Sequence, residues 1–379
     1  MIIGRPDIDS FAVFPLDAAA VLHKLADGAD LASAATWYQD VYGEPVDIED
    51  FADTLRDLGF VRTGEPAELG REATAAPVRW GRLSAVLLSV PALTVYALAV
   101  AAAVYFMVRT PALRPVPSTV YFSGSLLVVM LVICAAQLAG IAVHEWFHVL
   151  AGRRLGLPSR LTVGRRLYFV VFETTLLGLM GVPSRKRILP FLAGLIADSV
   201  LISILIGLAE AGRAEGWPPW LARACVGLAY VTILRVIWQA MIFMETDLYH
   251  VLSSAVRCPD LHRMTVTYLR NLIARLRGKE QPAPGDEENW TARELRVVRR
   301  YAPVVVAGSV AIIGIAVVSV VPAVYDLALR VYRGVTAGGL ATGRFWDALV
   351  AGLLALSPFA TAAALAFRDR RRRRAASPS

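Results

Sequence analysis

Cysteine is scarce in this chain: Cys134, Cys225 and Cys258 are the three among 379 residues. They fall in separate segments without a paired motif, so neither a disulfide framework nor a cysteine-rich zinc site is expected. The N-terminus lacks a basic stretch followed by an apolar run, and no signal peptide is expected before the first hydrophobic segment. Histidine is scarce too, with five in all, which makes any pair at a meaningful spacing informative. Charge is nearly absent from several long stretches, and that absence sets the class of the protein.

The chain is 56% hydrophobic, with a mean hydropathy of +0.53. Those values exclude an ordinary soluble domain and imply a mainly α, polytopic membrane protein. Apolar stretches long enough to cross a bilayer cover 83–108, 120–150, 188–208, 220–243, 302–324 and 345–367, about six transmembrane helices. The net charge is +8, and its placement is informative. Arg153, Arg154, Arg160, Arg165, Arg166, Arg185, Lys186 and Arg187 lie between the second and third stretches. Arg257, Arg263, Arg270, Arg275, Arg277 and Lys279 come after the fourth, and Arg368 to Arg374 after the last. With six spans all three groups share one side, which the positive-inside rule makes the cytoplasm, with both termini there. Beside a final helix a basic tail anchors topology or meets anionic lipid. No recognition fold accompanies the charge, so nucleic acid is not an expected partner.

The second apolar stretch ends in His144-Glu145-Trp146-Phe147-His148. On a helix, histidines four apart stack on one face and can point both imidazoles at one metal ion. A zinc ion lowers the pKa of a coordinated water towards neutrality, and Glu145 can take its proton as general base without being a ligand. Burying two histidines and a glutamate in lipid-facing sequence is costly, and intramembrane ionisable groups are functional by default.

Residues 1–70 differ in composition from the rest of the chain. Asp7, Asp9, Asp17, Asp27, Asp30, Asp40, Glu44, Asp47, Glu49, Asp50, Asp53 and Asp57 make them acidic. Short amphipathic patterns over 18–25, 32–41 and 48–58 predict three helices, broken at Asp27-Gly28 and Tyr42-Gly43. Asp30 can cap the second and Asp47 the third. Ser10 to Phe14 predicts a strand, and Gly59-Phe60-Val61 the start of another. Phe14-Pro15-Leu16-Asp17, the Leu25-Ala26-Asp27-Gly28 turn and the run Phe51-Ala52-Asp53-Thr54-Leu55-Arg56-Asp57-Leu58-Gly59-Phe60 resemble the small winged-helix domain of the pyrroloquinoline-quinone peptide-chaperone family. That domain recurs as the recognition element of enzymes that process ribosomally made peptides. The resemblance implies a small α+β winged-helix-like cytosolic domain that binds an extended leader peptide along a strand edge. An acidic domain of this kind would repel phosphate, so its helix-turn-helix look does not imply DNA binding.

Residues 71–82 form a linker, closing with Arg79, Trp80 and Arg82 at the membrane surface. The first hairpin turns through Pro111, Pro115 and Pro117, outside the cytoplasm. Between the second and third stretches, 161–181 is rich in β-branched and aromatic residues and too polar at its edges for a clean span. It fits a re-entrant strand or hairpin, since strand edges at membrane depth survive only when covered by protein, or else an interfacial loop.

Two histidines leave a catalytic zinc short of a protein ligand. Asp247 is the leading candidate, delivered near the cytoplasmic end of the fourth span on the same side as His148. Glu245, His250 and Asp198 compete with it. Glu245 and His250 also suit interfacial groups in contact with water. Asp198, inside the third span, either supports the zinc ligands or pairs with Arg235. Glu245 and Gln137 are further polar groups placed to support the ligands.

His144-Glu145-Trp146-Phe147-His148 on a membrane helix, Ala193-Gly194 opening the next, and Asp247-Leu248-Tyr249 with Cys258-Pro259-Asp260-Leu261 resemble the site-2 protease family of membrane zinc peptidases. The branch most similar is the bacterial peptide zinc metalloproteases with a fused peptide-recognition domain. The resemblance covers about residues 1–265. It implies His144, His148 and Asp247 as zinc ligands and Glu145 as general base. Leu195 stands where many members have proline, and Leu248 where many have glycine, departures that bear on substrate selection and on the geometry of Asp247. A membrane core over 83–265, a basic linker over 266–301, two further spans within 302–367 and a basic tail over 368–379 complete the expected organisation. The implied activity is zinc-dependent peptide hydrolysis at the cell membrane, on a ribosomally made precursor peptide that peptide-modifying enzymes also act on. A second enzymatic reading is regulated cleavage of a membrane-bound transcription regulator. A third reading, from another class, is a non-hydrolytic binding or export component. The intact His-Glu-x-x-His set argues against the third, because a retired site has no physical reason to keep costly polar groups in lipid.

Overall fold

The computed structural model describes residues 2–5, 10–61, 80–166, 169–176, 178–258, 260–278, 290–315, 317, 321–337 and 342–375. The expected linker up to residue 79, residues 279–289 of the expected 266–301 linker, Pro259 and the last four residues lie outside the described residues, as do the side chains of Arg370 to Arg374.

The N-terminal part opens with an antiparallel hairpin, β1 (Ile2–Arg5) and β2 (Ser10–Val13), paired from Ile2↔Val13 to Arg5↔Ser10. Three helices come next: α1 (Leu16–Ala26), α2 (Leu31–Tyr42) and α3 (Ile48–Asp57). Local chemistry accounts for their limits. The Asp30 carboxylate accepts from Ser33 N at 2.7 Å and the Asp47 carboxylate from Asp50 N at 3.0 Å, each satisfying an orphan amide of the first turn. Gly43, at φ +77°, closes α2 in the left-handed region that favours glycine. Phe14, Ala19 and Leu55 form the core, with Phe51 and Phe60 packed against Phe14. Among the described residues no strand opens at Gly59: Gly59 is in a turn and Phe60 and Val61 are irregular, and the residues that would continue the strand lie outside the described ones. Their neighbourhood is spent elsewhere, since Arg5 Nη1 donates to Gly59 O and Ser10 Oγ to Leu58 O, both at 2.7 Å.

A short helix, α4 (Gly81–Leu87), leads into the membrane part. Among the described residues, five helices are long and apolar enough to cross a membrane: α5 (Val90–Arg109), α6 (Leu126–Arg154), α7 (Ser184–Ala214), α8 (Pro219–Gln239) and α11 (Ala292–Ile315). This is a mainly α membrane protein. Between α6 and α7 the chain forms an antiparallel hairpin, β3 (Ser159–Arg166) and β4 (Phe169–Leu176), in register from Ser159↔Leu176 to Arg166↔Phe169. Of the two expected forms of this segment, the hairpin is the one seen, with β4 laid against α6.

The fourth stretch departs from expectation. Its helix stops at Gln239, a 3-10 turn covers Ile242–Met244, and a separate helix α9 (Asp247–Val256) begins at the carboxylate expected near the end of the span. Gln239 holds the break: Thr246 Oγ1 donates to its carbonyl at 2.7 Å, and Asp247 N to its side-chain oxygen at 3.1 Å. Helix α10 (Leu261–Leu276) is next, and α11 starts ten residues earlier than the expected 302, packed on α10. Of the stretch expected over 302–324, α11 covers the residues up to Ile315 and α12 (Val321–Ala337) those from Val321, while 316 and 318–320 lie outside the described residues. The stretch 345–367 lies within α13 (Gly343–Ala375). Asp347 on α13 caps α6, accepting from Leu126 N at 2.9 Å, from Leu127 N at 3.2 Å and from the Ser125 hydroxyl. A carboxylate there meets the positive end of the helix dipole.

Candidate metal centre

Helix α6 carries His144 and His148 one turn apart, with ring centroids 4.9 Å apart and Nε2 atoms 3.2 Å apart. Asp247 Oδ2 joins them at 3.2 Å from His144 Nε2 and 3.3 Å from His148 Nε2. One potential ligand atom from each of His144, Glu145 and His148 lies within 4.8 Å of the others. Such a group can hold a metal ion, and both histidines are buried.

Room for an ion depends on helix α7. A Cβ built on Gly194 would stand 2.3 Å from His144 Nε2 and 2.6 Å from His148 Nε2. Glycine is therefore required where α7 passes the two imidazoles, and the space a side chain would take is left to the convergence point. The other ring nitrogens are committed. His144 Nδ1 faces Asp198 Oδ2 at 3.0 Å, and His148 Nδ1 faces Pro190 O at 2.8 Å. A backbone carbonyl has no proton to give, and Asp198 is already paired with arginine, so both Nδ1 atoms are the donors. That leaves both Nε2 lone pairs for a metal, the arrangement that fixes ring orientation in metal sites. Two neutral imidazoles and a carboxylate suit a divalent ion of zinc type.

The alternatives for Asp198 are both realised. Arg235 on α8 donates to it through Nη2 at 2.5 Å and through Nε at 3.2 Å, while Oδ2 also meets His144. Arg235 Nη1 donates to Gln137 Oε1 at 2.7 Å. The guanidinium reaches this place because residue 140 is glycine; a Cβ there would be 2.9 Å from both Nη1 and Nη2. Asp198 is 1% exposed, and burying that charge is tolerable only with such partners.

Glu145 is half-buried, and its Oε2 accepts from Thr174 N on β4 at 2.9 Å. That amide is therefore not part of the β3–β4 ladder, and the edge of β4 that β3 leaves open faces Glu145. Glu245 is exposed, at φ +55° in the turn before α9. His250 stacks on Phe191, with ring centroids 5.2 Å apart and planes at 21°. Asp247 heads α9, with its side chain 22% exposed. Two residues on, burial pushes the Tyr249 hydroxyl up to about 12, and it accepts from His262 N at 2.9 Å.

Neither a family model, a curated protein nor a solved structure matches the chain. The geometry is thus the ground for any functional statement. Three contributors escaped sequence reasoning: the Thr174 amide, the Pro190 carbonyl and Gly140. Backbone donors and acceptors carry no residue-type signal. Gly140 did carry one, since it precedes His144 by one turn on a helix whose one other glycine, Gly152, lies near its end.

Proposed function

We propose that this protein is a membrane-embedded zinc metalloendopeptidase of the site-2 protease kind. The observation that carries the reading is the meeting of His144 Nε2, His148 Nε2 and Asp247 Oδ2 within 3.3 Å beside the Glu145 carboxylate. His144, His148 and Asp247 hold the ion. When bound, zinc supplies Lewis-acid polarisation of the scissile carbonyl and makes water acidic. Glu145 takes a proton from the attacking water as the new carbon–oxygen bond forms. It then gives the proton to the peptide nitrogen as the carbon–nitrogen bond breaks, leaving a carboxylic acid and an amine and becoming a carboxylate again. The Thr174 amide holds one oxygen of that carboxylate, and Asp198 and the Pro190 carbonyl hold the two rings. The open edge of β4 offers backbone groups to a substrate strand, which would lie extended beside the base.

The substrate we infer is a ribosomally made precursor peptide, its leader taken by the acidic domain at residues 1–70, with peptide-modifying enzymes acting on the same peptide. Six spans with both termini in the cytoplasm result if α13 is the sixth. In support, Asp347 near the start of α13 meets the start of α6, so both helices begin on one side. At 33 residues α13 is about 50 Å long, enough to cross.

Metal analysis of purified protein combined with Glu145→Gln tests the reading. The variant should keep its zinc and lose at least about 10²–10⁴-fold in cleavage of co-encoded peptides. Equal cleavage by the variant would refute it, as would a wild-type protein that binds no divalent metal.

A further inference from the structure

We propose that α10 is a binding surface for anionic phospholipid, lying in the plane of the leaflet beside the helix that carries Asp247. With 16 residues α10 is about 24 Å long, and Arg263, Arg270 and Arg275 interrupt it, so it does not cross the bilayer. It precedes the membrane helix α11 in element order and packs on it, which places it at a membrane surface.

The helix has three faces. Leu261, Thr265 and Asn271 are buried on the first, which packs on α11 through the cluster of Tyr249, Cys258 and Tyr301. The second is an apolar stripe of Val266, Ile273 and Leu276, spaced by seven and three residues. Ile273 is 47% and Leu276 80% exposed. The third carries Arg263 and Arg270, with the capping Arg277 a further seven residues on, all exposed and beside the apolar stripe. No aspartate or glutamate occurs from 261 to 278. Exposed Arg293, Arg296, Arg299 and Arg300 at the start of α11 extend the cationic zone.

An apolar stripe beside a basic stripe is what the interface demands: the first enters the acyl boundary while the second meets phosphates. Each arginine near an anionic surface contributes about fivefold to association. A protein partner would need acidic complementarity and no bilayer, whereas this face lies where the bilayer already is. The surface bears on the metal centre through Tyr249, which shares a buried cluster with Leu261. His262 N on the first turn of α10 donates to the Tyr249 hydroxyl on α9, and Asp247 heads α9. Seating α10 on lipid therefore steadies the helix that presents the carboxylate.

Hydrogen–deuterium exchange of the full-length protein tests this, compared in nanodiscs of phosphatidylcholine alone and of phosphatidylcholine with three-tenths phosphatidylglycerol. Amides of 270–278 should exchange about tenfold or more slowly in the anionic discs. The triple variant Arg263→Gln, Arg270→Gln, Arg277→Gln should lose that difference while α1 to α3 exchange as before. Equal rates in the two discs for the wild type would overturn the proposal, with no variant needed. Full protection in neutral discs on adding inorganic phosphate would also overturn it, because the partner would then be a free anion. The readout involves neither zinc nor cleavage, so its failure is separable from failure of the peptidase reading.

Discussion

Thr174 donates its backbone N–H to the carboxylate of Glu145 at 2.9 Å, joining a strand edge to a helix residue 29 positions earlier. A charge-assisted bond of this kind is worth about 1.5–3 kcal/mol. If Glu145 is the base, the bond fixes the oxygen that a proton-transfer partner would otherwise find mobile. Proline at 174 removes the donor, and an amide outside the ladder is where a strand edge tolerates it. Thr174→Pro should keep its metal and fall about tenfold or more in kcat/KM. Unchanged kcat/KM with intact secondary structure by circular dichroism would show that the bond is not used.

Arg235 and Asp198 form the support under His144. Removing one partner of a buried pair leaves the other uncompensated, at a cost of about 3–5 kcal/mol. Arg235→Met should lower metal affinity about 10–100-fold, the usual effect of losing a group that orients a ligand. The double variant Arg235→Met, Asp198→Asn should lose no more affinity than the single one, because both act through one ring. Chelator competition measures it; fully additive losses would mean that the two residues act separately.

Gly194 faces both Nε2 atoms, and any Cβ there falls within 2.6 Å of them. Gly194→Val should empty the site of metal with little change in helicity. Gly207, with nothing within 4 Å of its own Cβ position, is the control: Gly207→Val should stay metal-loaded. Metal content of the two purified proteins decides between them.

Deleting residues 1–70 should separate recognition from chemistry. Tethering by a leader supplies an effective concentration reaching millimolar for a short linker, and its loss should slow cleavage of leader-bearing precursors alone. Short leaderless peptides should be cut about as well as before, and metal content should not change. Processing of full precursors at the intact rate would remove the recognition role from this domain.

Local pattern determined a good deal by itself. The helical period alone puts His144 and His148 on one face, because four residues make one turn whatever surrounds them. Runs without charge mark the membrane helices, since a bilayer tolerates little else, and Asp30 and Asp47 cap their helices through bonds three residues away. Tertiary structure decided what depends on groups far apart in the chain. The choice for Asp198 between ring and guanidinium became both, because α8 passes α6 at a glycine and Arg235 reaches through the gap. The end of α8 at Gln239 was hidden, since hydropathy continues through the break and only the bonds from Thr246 and Asp247 close it. The Thr174 amide and the Asp347 cap on α6 likewise have no residue-type signature. A hydrogen bond between distant segments exists only once packing has brought them together, and that packing is a property of the whole set of helices rather than of any one stretch.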